Sequence, residues 1–134
     1  AYAAVIAAFA KAYLEGKSPV IFGDGENSRD FTYVDNAVHA NLLAARNEQR
    51  VNGEVINIAC GQRVSINELA HHMAEIYGQG RLRPEYRPPR NGDVAHSLAS
   101  IDKARQLIGY QPIVDFQTGL ASTCQWYADE FARH

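Results

Sequence analysis

The chain has 134 residues, of which 46% are hydrophobic, and a formal net charge of −2. That is one ordinary domain with enough apolar material for a core. The interspersed charges of both signs argue against a nucleic-acid or membrane-surface protein, and no apolar run is long enough to span a bilayer. No signal-peptide pattern is present, so the chain reads as cytoplasmic.

The sequence opens with Ala1-Tyr2-Ala3-Ala4-Val5-Ile6 and no initiating Met, so it reads as a piece of a longer chain. Residues 1–15 predict a helix, with Val5, Ile6, Phe9 and Tyr13 at helical spacing and Gly16 at its C-terminal stop. Ser18-Pro19 leads into a short apolar strand, Val20-Ile21-Phe22, and Gly23-Asp24-Gly25-Glu26-Asn27 reads as a turn. A second strand is expected over 31–34. Asp35 is expected to cap a helix with Val38, Leu42 and Ala45 on one face. Residues 54–59 predict a strand closed by Gly61. Ser65-Ile66-Asn67-Glu68 spells a capping box, opening a helix with Ile66, Leu69, Ala70, Met73, Ile76 and Tyr77 on one face and Gly78 at its end. Residues 82–87 predict an edge strand stopped by Pro88-Pro89, followed by a polar loop over 90–93. A short helix follows around 102–108. A last helix begins near Asp115 and carries Phe116, Leu120, Thr123, Tyr127 and Phe131. Alternating helices and strands without repeat or linker predict a single α/β or α+β domain over 1–134.

Few of the motifs carry chemistry on their own. Gly23-Asp24-Gly25 matches only Gly-x-Gly, and a strand rather than a helix is expected after it, so a plain turn is the better reading. Tyr13 and Lys17 spell Tyr-x-x-x-Lys, but Gly16 and Pro19 end the helix between and beyond them, so the match reads as coincidence. His71-His72 are helix neighbours about a quarter-turn apart and cannot chelate one metal as an i, i+4 pair does. His39 and His96 have no evident partner in the sequence, and Cys60 and Cys124 read as two buried reduced thiols. Arg29 and Arg90 each sit in or beside a glycine-containing polar loop, which suits bidentate phosphate recognition. Asp93 can accept hydrogen bonds from sugar hydroxyls. The competing fate for Arg29 is a surface salt bridge with Asp30.

Taken in order, Ala1-Tyr2-Ala3-Ala4-Val5-Ile6, Phe22-Gly23-Asp24-Gly25, Ser28-Arg29-Asp30-Phe31-Thr32-Tyr33-Val34, Ile56-Asn57-Ile58, Ser65-Ile66-Asn67-Glu68-Leu69 and Gly92-Asp93-Val94-Ala95-His96-Ser97 resemble the extended short-chain dehydrogenase/reductase family. The resemblance runs nearly end to end. It is strongest to the UDP-N-acetylglucosamine 4-epimerase branch, with UDP-glucose and UDP-glucuronate 4-epimerases close behind. It implies the α/β, C-terminal, substrate-binding part of a Rossmann-type parent, without the dinucleotide-binding half. In such a parent, which serves surface-polysaccharide synthesis, NAD takes a hydride from C4 of the sugar and returns it to the other face. By the resemblance, Val20, Ile21 and Phe22 line the uracil pocket, partly through backbone groups. Arg29 and Arg90 clamp the diphosphate, and Asp93 holds the ribose hydroxyls.

No catalytic residue is expected in this stretch, since the family's glycine loop and Tyr-x-x-x-Lys lie upstream of the matched motifs. NAD is expected to bind the parent and not, tightly, this piece. The parent is expected to be a homodimer, and the piece to self-associate through Val38, Leu42, Val55 and Ile58. Two other readings remain: a stand-alone nucleotide-sugar-binding or interaction module without catalysis, and part of a related dehydratase or reductase.

Overall fold

The computed structural model describes residues 4–48 and 51–133. The fold is α/β. Its elements run α1 (Ala4–Leu14), β1 (Val20–Phe22), β2 (Ser28–Arg29), α2 (Val34–Arg46), β3 (Val64–Ser65), α3 (Ile66–Ile76), β4 (Glu85–Arg87), α4 (Asp102–Ile108) and α5 (Phe116–Ala132). The predicted start of the first helix, at Ala1 to Ala3, lies outside the described residues. The strands form two small sheets, β1 parallel to β4 and β2 antiparallel to β3.

Two cores hold the elements together. In the larger, Phe9, Ala10 and Tyr13 of α1 meet Leu69, Ala70, Met73 and Ala74 of α3 and Phe116, Leu120 and Cys124 of α5, with Ile21 of β1 at one end. The helical spacing of these residues makes one apolar stripe per helix, which is why three helices bury a common seam. Polar tips inside the seam are satisfied: the Tyr13 hydroxyl donates to Ala70 O at 2.8 Å and the Tyr77 hydroxyl to Cys124 O at 2.9 Å. Gly119 lets α5 approach the segment before α2, since a Cβ there would lie 2.6 Å from Tyr33 Cβ. The smaller core joins α2 to α4 through Ala40, Ala59, Ile101, Ala104, Ile108 and Tyr110.

The heads of α3 and α5 are capped by side chains. Ser65 and Glu68 form both bonds of the capping box, and Asp115 accepts from the Thr118 amide at the head of α5. The strand expected over 31–34 is not formed. The strand is Ser28–Arg29 instead, because its partner Val64–Ser65 lies beside it there. Phe31 packs on Phe116, with ring centroids 5.9 Å apart, while the chain leads into α2. Asp35 does not cap α2: Tyr33 is the N-cap residue, with no side-chain bond, and Asp35 sits in the first turn, where the helix dipole favours a carboxylate.

Residues 54–59 are not a strand either. No strand lies beside them among the described residues, and Ile56 and Ile58 pack instead on the smaller core. On α2 the face with Val38 and Leu42 is turned outward, at 50% and 46% exposure, because Ala40, Leu43 and Ala44 fill the core side. Ile76 and Phe131, expected on buried faces, are 41% and 47% exposed near the C-terminal ends of their helices. Among the described residues no helix is long and apolar enough to cross a membrane.

Candidate functional site

The carboxyl ends of β1 and β4 and the loops that follow them frame an open cavity of about 550 Å³, lined by Gly23, Asp24, Asn27, Tyr86, Arg87 and Pro89. The loop leaving β1 turns back through Gly23 (φ +85°) and Gly25 (φ +79°), and Gly25 is a position that only a residue without a side chain fills easily. It runs on into β2, not into a helix. It is therefore a turn, as read from the sequence, and lacks the strand-to-helix amide cradle that a dinucleotide pyrophosphate needs.

Beside this cavity the structure joins residues far apart in sequence. Arg29 Nη2 donates to Asp93 Oδ1 at 2.8 Å while its Nη1 donates to Ser28 O at 2.9 Å. Asn27 Nδ2 donates to Asp93 Oδ2 at 3.2 Å. The 93–97 segment is docked on β2 by main chain, with Ser28 N donating to Ala95 O and Ser97 N to Ser28 O. The Ser28 hydroxyl pairs with His96 Nδ1 at 2.9 Å. His96 therefore has a partner that its sequence context did not reveal. The expected alternative for Arg29, a salt bridge with Asp30, is not made. The Asp30 carboxylate instead accepts from the Cys60 and Gly61 amides at 3.0 and 2.9 Å, because those two N–H groups converge on it from the adjoining turn.

The other expected site residues are placed as follows. The Arg90 guanidinium lies over the Phe22 ring, 3.6 Å from its centroid, a cation–π contact that brings Arg90 to the end of β1. The Ile21 side chain is buried in the larger core, so only its backbone could face a ligand. That backbone is turned to β4: Glu85 N donates to Pro19 O and Gly23 N to Arg87 O, so by alternation residues 19, 21 and 23 face β4. The amides and carbonyls of Val20 and Phe22 point to the opposite edge, which pairs with no strand among the described residues. Arg29 keeps three unassigned N–H donors, and each Asp93 oxygen keeps a free lone pair. The site can thus still take an anion and a hydroxyl.

Other motifs are structural. Tyr13 is buried in the larger core, and that burial pushes its hydroxyl pKa up to about 12, the reverse of what a proton-transfer tyrosine needs. Lys17 bonds to Glu15 instead. His71 and His72 both face Glu75, at 3.4 and 3.9 Å. Among the described residues no three His, Cys, Asp or Glu side chains gather as metal ligands would. Cys124 is buried as expected, but Cys60 is only partly so; burial raises both thiol pKa values. Sequence reasoning missed Asn27, Asp30, Tyr86 and the docking of His96. Asp30 lies within the Arg-Asp-Phe block, which was a usable signal; the other three have none at short range.

The fold and this cluster define an α/β chain that presents an arginine–carboxylate pair beside an open cleft. Its residues 1–59 match the family model described as "NAD dependent epimerase/dehydratase family". Over that stretch the chain is similar to this family. A UDP-glucose 4-epimerase of Mycolicibacterium smegmatis is 34% identical over 96% of this chain and 40% of its own length. A UDP-N-acetylglucosamine 4-epimerase from Methanobrevibacter ruminantium, solved with UDP-N-acetylmuramic acid, superposes with a TM-score of 0.82 at 37% identity, covering 93% of this chain and 39% of that one. A UDP-glucuronic acid 4-epimerase from Bacillus cereus, solved with UDP-glucuronic acid and NAD, gives 0.87 at 29% identity over 94% and 40%. The chain thus spans about 40% of the length of the relatives it matches.

Proposed function

We propose that these residues are the C-terminal, UDP-sugar-binding part of an NAD-dependent 4-epimerase. One observation supports this above the others: Arg29 and Asp93 meet at 2.8 Å at the edge of a cavity, although 64 positions separate them. In this reading Arg29 and Arg90 hold the diphosphate and Asp93 accepts from the ribose. Val20 and Phe22 bound the uracil pocket, whereas Ile21, expected beside them, is spent on the core through its side chain and on β4 through its backbone. Val20 and Phe22 offer backbone groups at the outward edge, and the Phe22 ring offers an apolar face.

Phosphate binding would turn the Arg29 donors not used by Ser28 and Asp93 toward the ligand. It would also draw Arg90 off the Phe22 ring, freeing that face for a base. NAD belongs to the parent enzyme, where it supplies hydride chemistry. The loop after β1 does not fit it, so these residues would bind and orient the substrate and take no part in hydride transfer.

The test is direct. UDP titrated into the 134-residue chain should bind. Incubation with UDP-N-acetylglucosamine and NAD should give no epimer on chromatography. Turnover above a buffer control would contradict the reading, as would a chain that takes up no UDP.

A further inference from the structure

One residue at the head of α3 holds together the walls of the cavity, and no role in ligand binding has so far been given to it. Asn67 N donates to Gly25 O at 3.0 Å, and the preceding amide, Ile66 N, donates to Asn27 O at 3.0 Å. The Asn67 side chain then reaches both walls. Its Nδ2 donates to Asp24 O at 3.0 Å and to Glu26 Oε1 at 2.7 Å, while its Oδ1 accepts from the Tyr86 hydroxyl at 2.9 Å. Gly23, Asp24 and Asn27 form one wall of the cavity and Tyr86 stands in the other. Gly25 is built around this side chain: a Cβ there would lie 2.0 Å from Asn67 Oδ1.

We propose that Asn67 is a positioning residue of the nucleotide site: its amide fixes the distance between the Gly23–Asn27 loop and Tyr86, and so the width of the cleft. The proposal rests on the UDP-binding reading above. An amide is the side chain this geometry requires, since it carries two N–H donors and an acceptor on one short stem. The two loop acceptors use both Nδ2 hydrogens. Through Asn27, which bonds to Asp93, the same tie reaches the Arg29–Asp93 pair. Asp in place of Asn would keep the bond to Tyr86 but set a carboxylate against Glu26, repelling the loop.

The experiment is calorimetric titration of UDP into the wild-type chain and its Asn67→Leu, Asn67→Asp and Tyr86→Phe variants, with amide exchange of residues 24–27 followed by NMR. Asn67→Leu should bind UDP about tenfold more weakly, as expected when the bonds that fix a loop, one of them to a carboxylate, are lost. Its loop amides should exchange faster, while the helical circular dichroism is unchanged. Asn67→Asp should be weak near neutral pH and regain affinity, relative to wild type, as the pH falls toward about 5, where the carboxylate pair can share a proton. A structural role alone would give no such recovery. Tyr86→Phe keeps the ring and loses one bond, so it should fold and bind a few-fold more weakly even if Asn67→Leu does not fold. Wild type binding UDP beside variants that match it within about a factor of two at every pH would overturn the proposal alone. A wild type that takes up no UDP would overturn the nucleotide reading and this proposal together.

Discussion

Arg29 and Asn36 show what single residues do here. Each Arg29 bond found has a structural purpose: Ser28 O fixes one terminal nitrogen of the guanidinium and Asp93 the other, leaving other donors for an anion. Asn36 is fully buried on α2. Its Oδ1 accepts from the Ile113 and Val114 amides at 2.8 and 2.9 Å, and its Nδ2 donates to Val114 O at 2.8 Å. It locks the segment before α5 onto α2. Asn36→Leu would strand those backbone groups, and about 3 kcal/mol of stability should be lost in urea melts, since unsatisfied buried groups cost roughly 1–3 kcal/mol each. Arg29, Arg90 and Asp93 were legible as candidates, because charged residues beside glycine loops stand out in a sequence. That Arg29 pairs with Asp93 and not with its neighbour Asp30 was not, since the docking of a segment 64 positions away decides it. Asn36 gave no signal at all, because a buried asparagine in a helix looks like an exposed one until its partners are known.

Helix ends were the most readable elements. The Ser65–Glu68 capping box is local chemistry and formed as the residue spacing predicts, and the last helix starts at Asp115 as expected, whereas Asp35 does not cap α2. The strands were harder. A two-residue strand such as β2 exists only because β3 lies beside it, and residues 54–59, largely apolar, pair with no strand among the described residues.

The capping box also sets a pH response. The Ser65 backbone amide, followed by the Ser65 side chain, holds the Glu68 carboxyl below its ordinary value of 4.5. With the folded pKa lower than the unfolded one, this contribution is complete above the unfolded value. It is lost as the pH falls through the folded one. Melting temperatures should therefore drop on the acid side of about pH 4.5. Glu68→Gln keeps an acceptor for the Ser65 amide, so it should flatten part of that drop and change little near neutrality. Because Glu68 is solvent-exposed, the effect should be modest.

At the scale of the molecule, Asn36 ties α2 of the smaller core to the segment that leads into α5 of the larger one, and Val34, Val38 and Leu42 leave the outer face of α2 apolar. Val34, Val38 and Leu42 are 60%, 50% and 46% exposed, and Val55 is 82% exposed, whereas Ile58 packs on the smaller core. Val38, Leu42 and Val55 are thus exposed as expected, and Ile58 is not. Apolar area of this kind tends to find a partner. We predict that the chain self-associates through it, and that Val38→Lys with Leu42→Lys shifts sedimentation toward monomer without lowering the melting temperature. A wild-type chain that sediments as a monomer over the whole accessible concentration range would contradict this.

The central claim is that Arg29 and Arg90 hold a diphosphate. Each should contribute charge-assisted hydrogen bonds of roughly 1.5–3 kcal/mol. UDP binding measured by calorimetry on wild type, Arg29→Ala and Arg90→Ala decides the matter. The account predicts that each alanine variant binds about ten- to a hundredfold more weakly, with lysine restoring only part of the loss because a point charge cannot fork across two oxygens. Solvated salt-bridge arginines would instead cost about 1 kcal/mol of stability or less and nothing in binding. If both alanine variants bind UDP within about a factor of two of wild type, the diphosphate assignment is wrong.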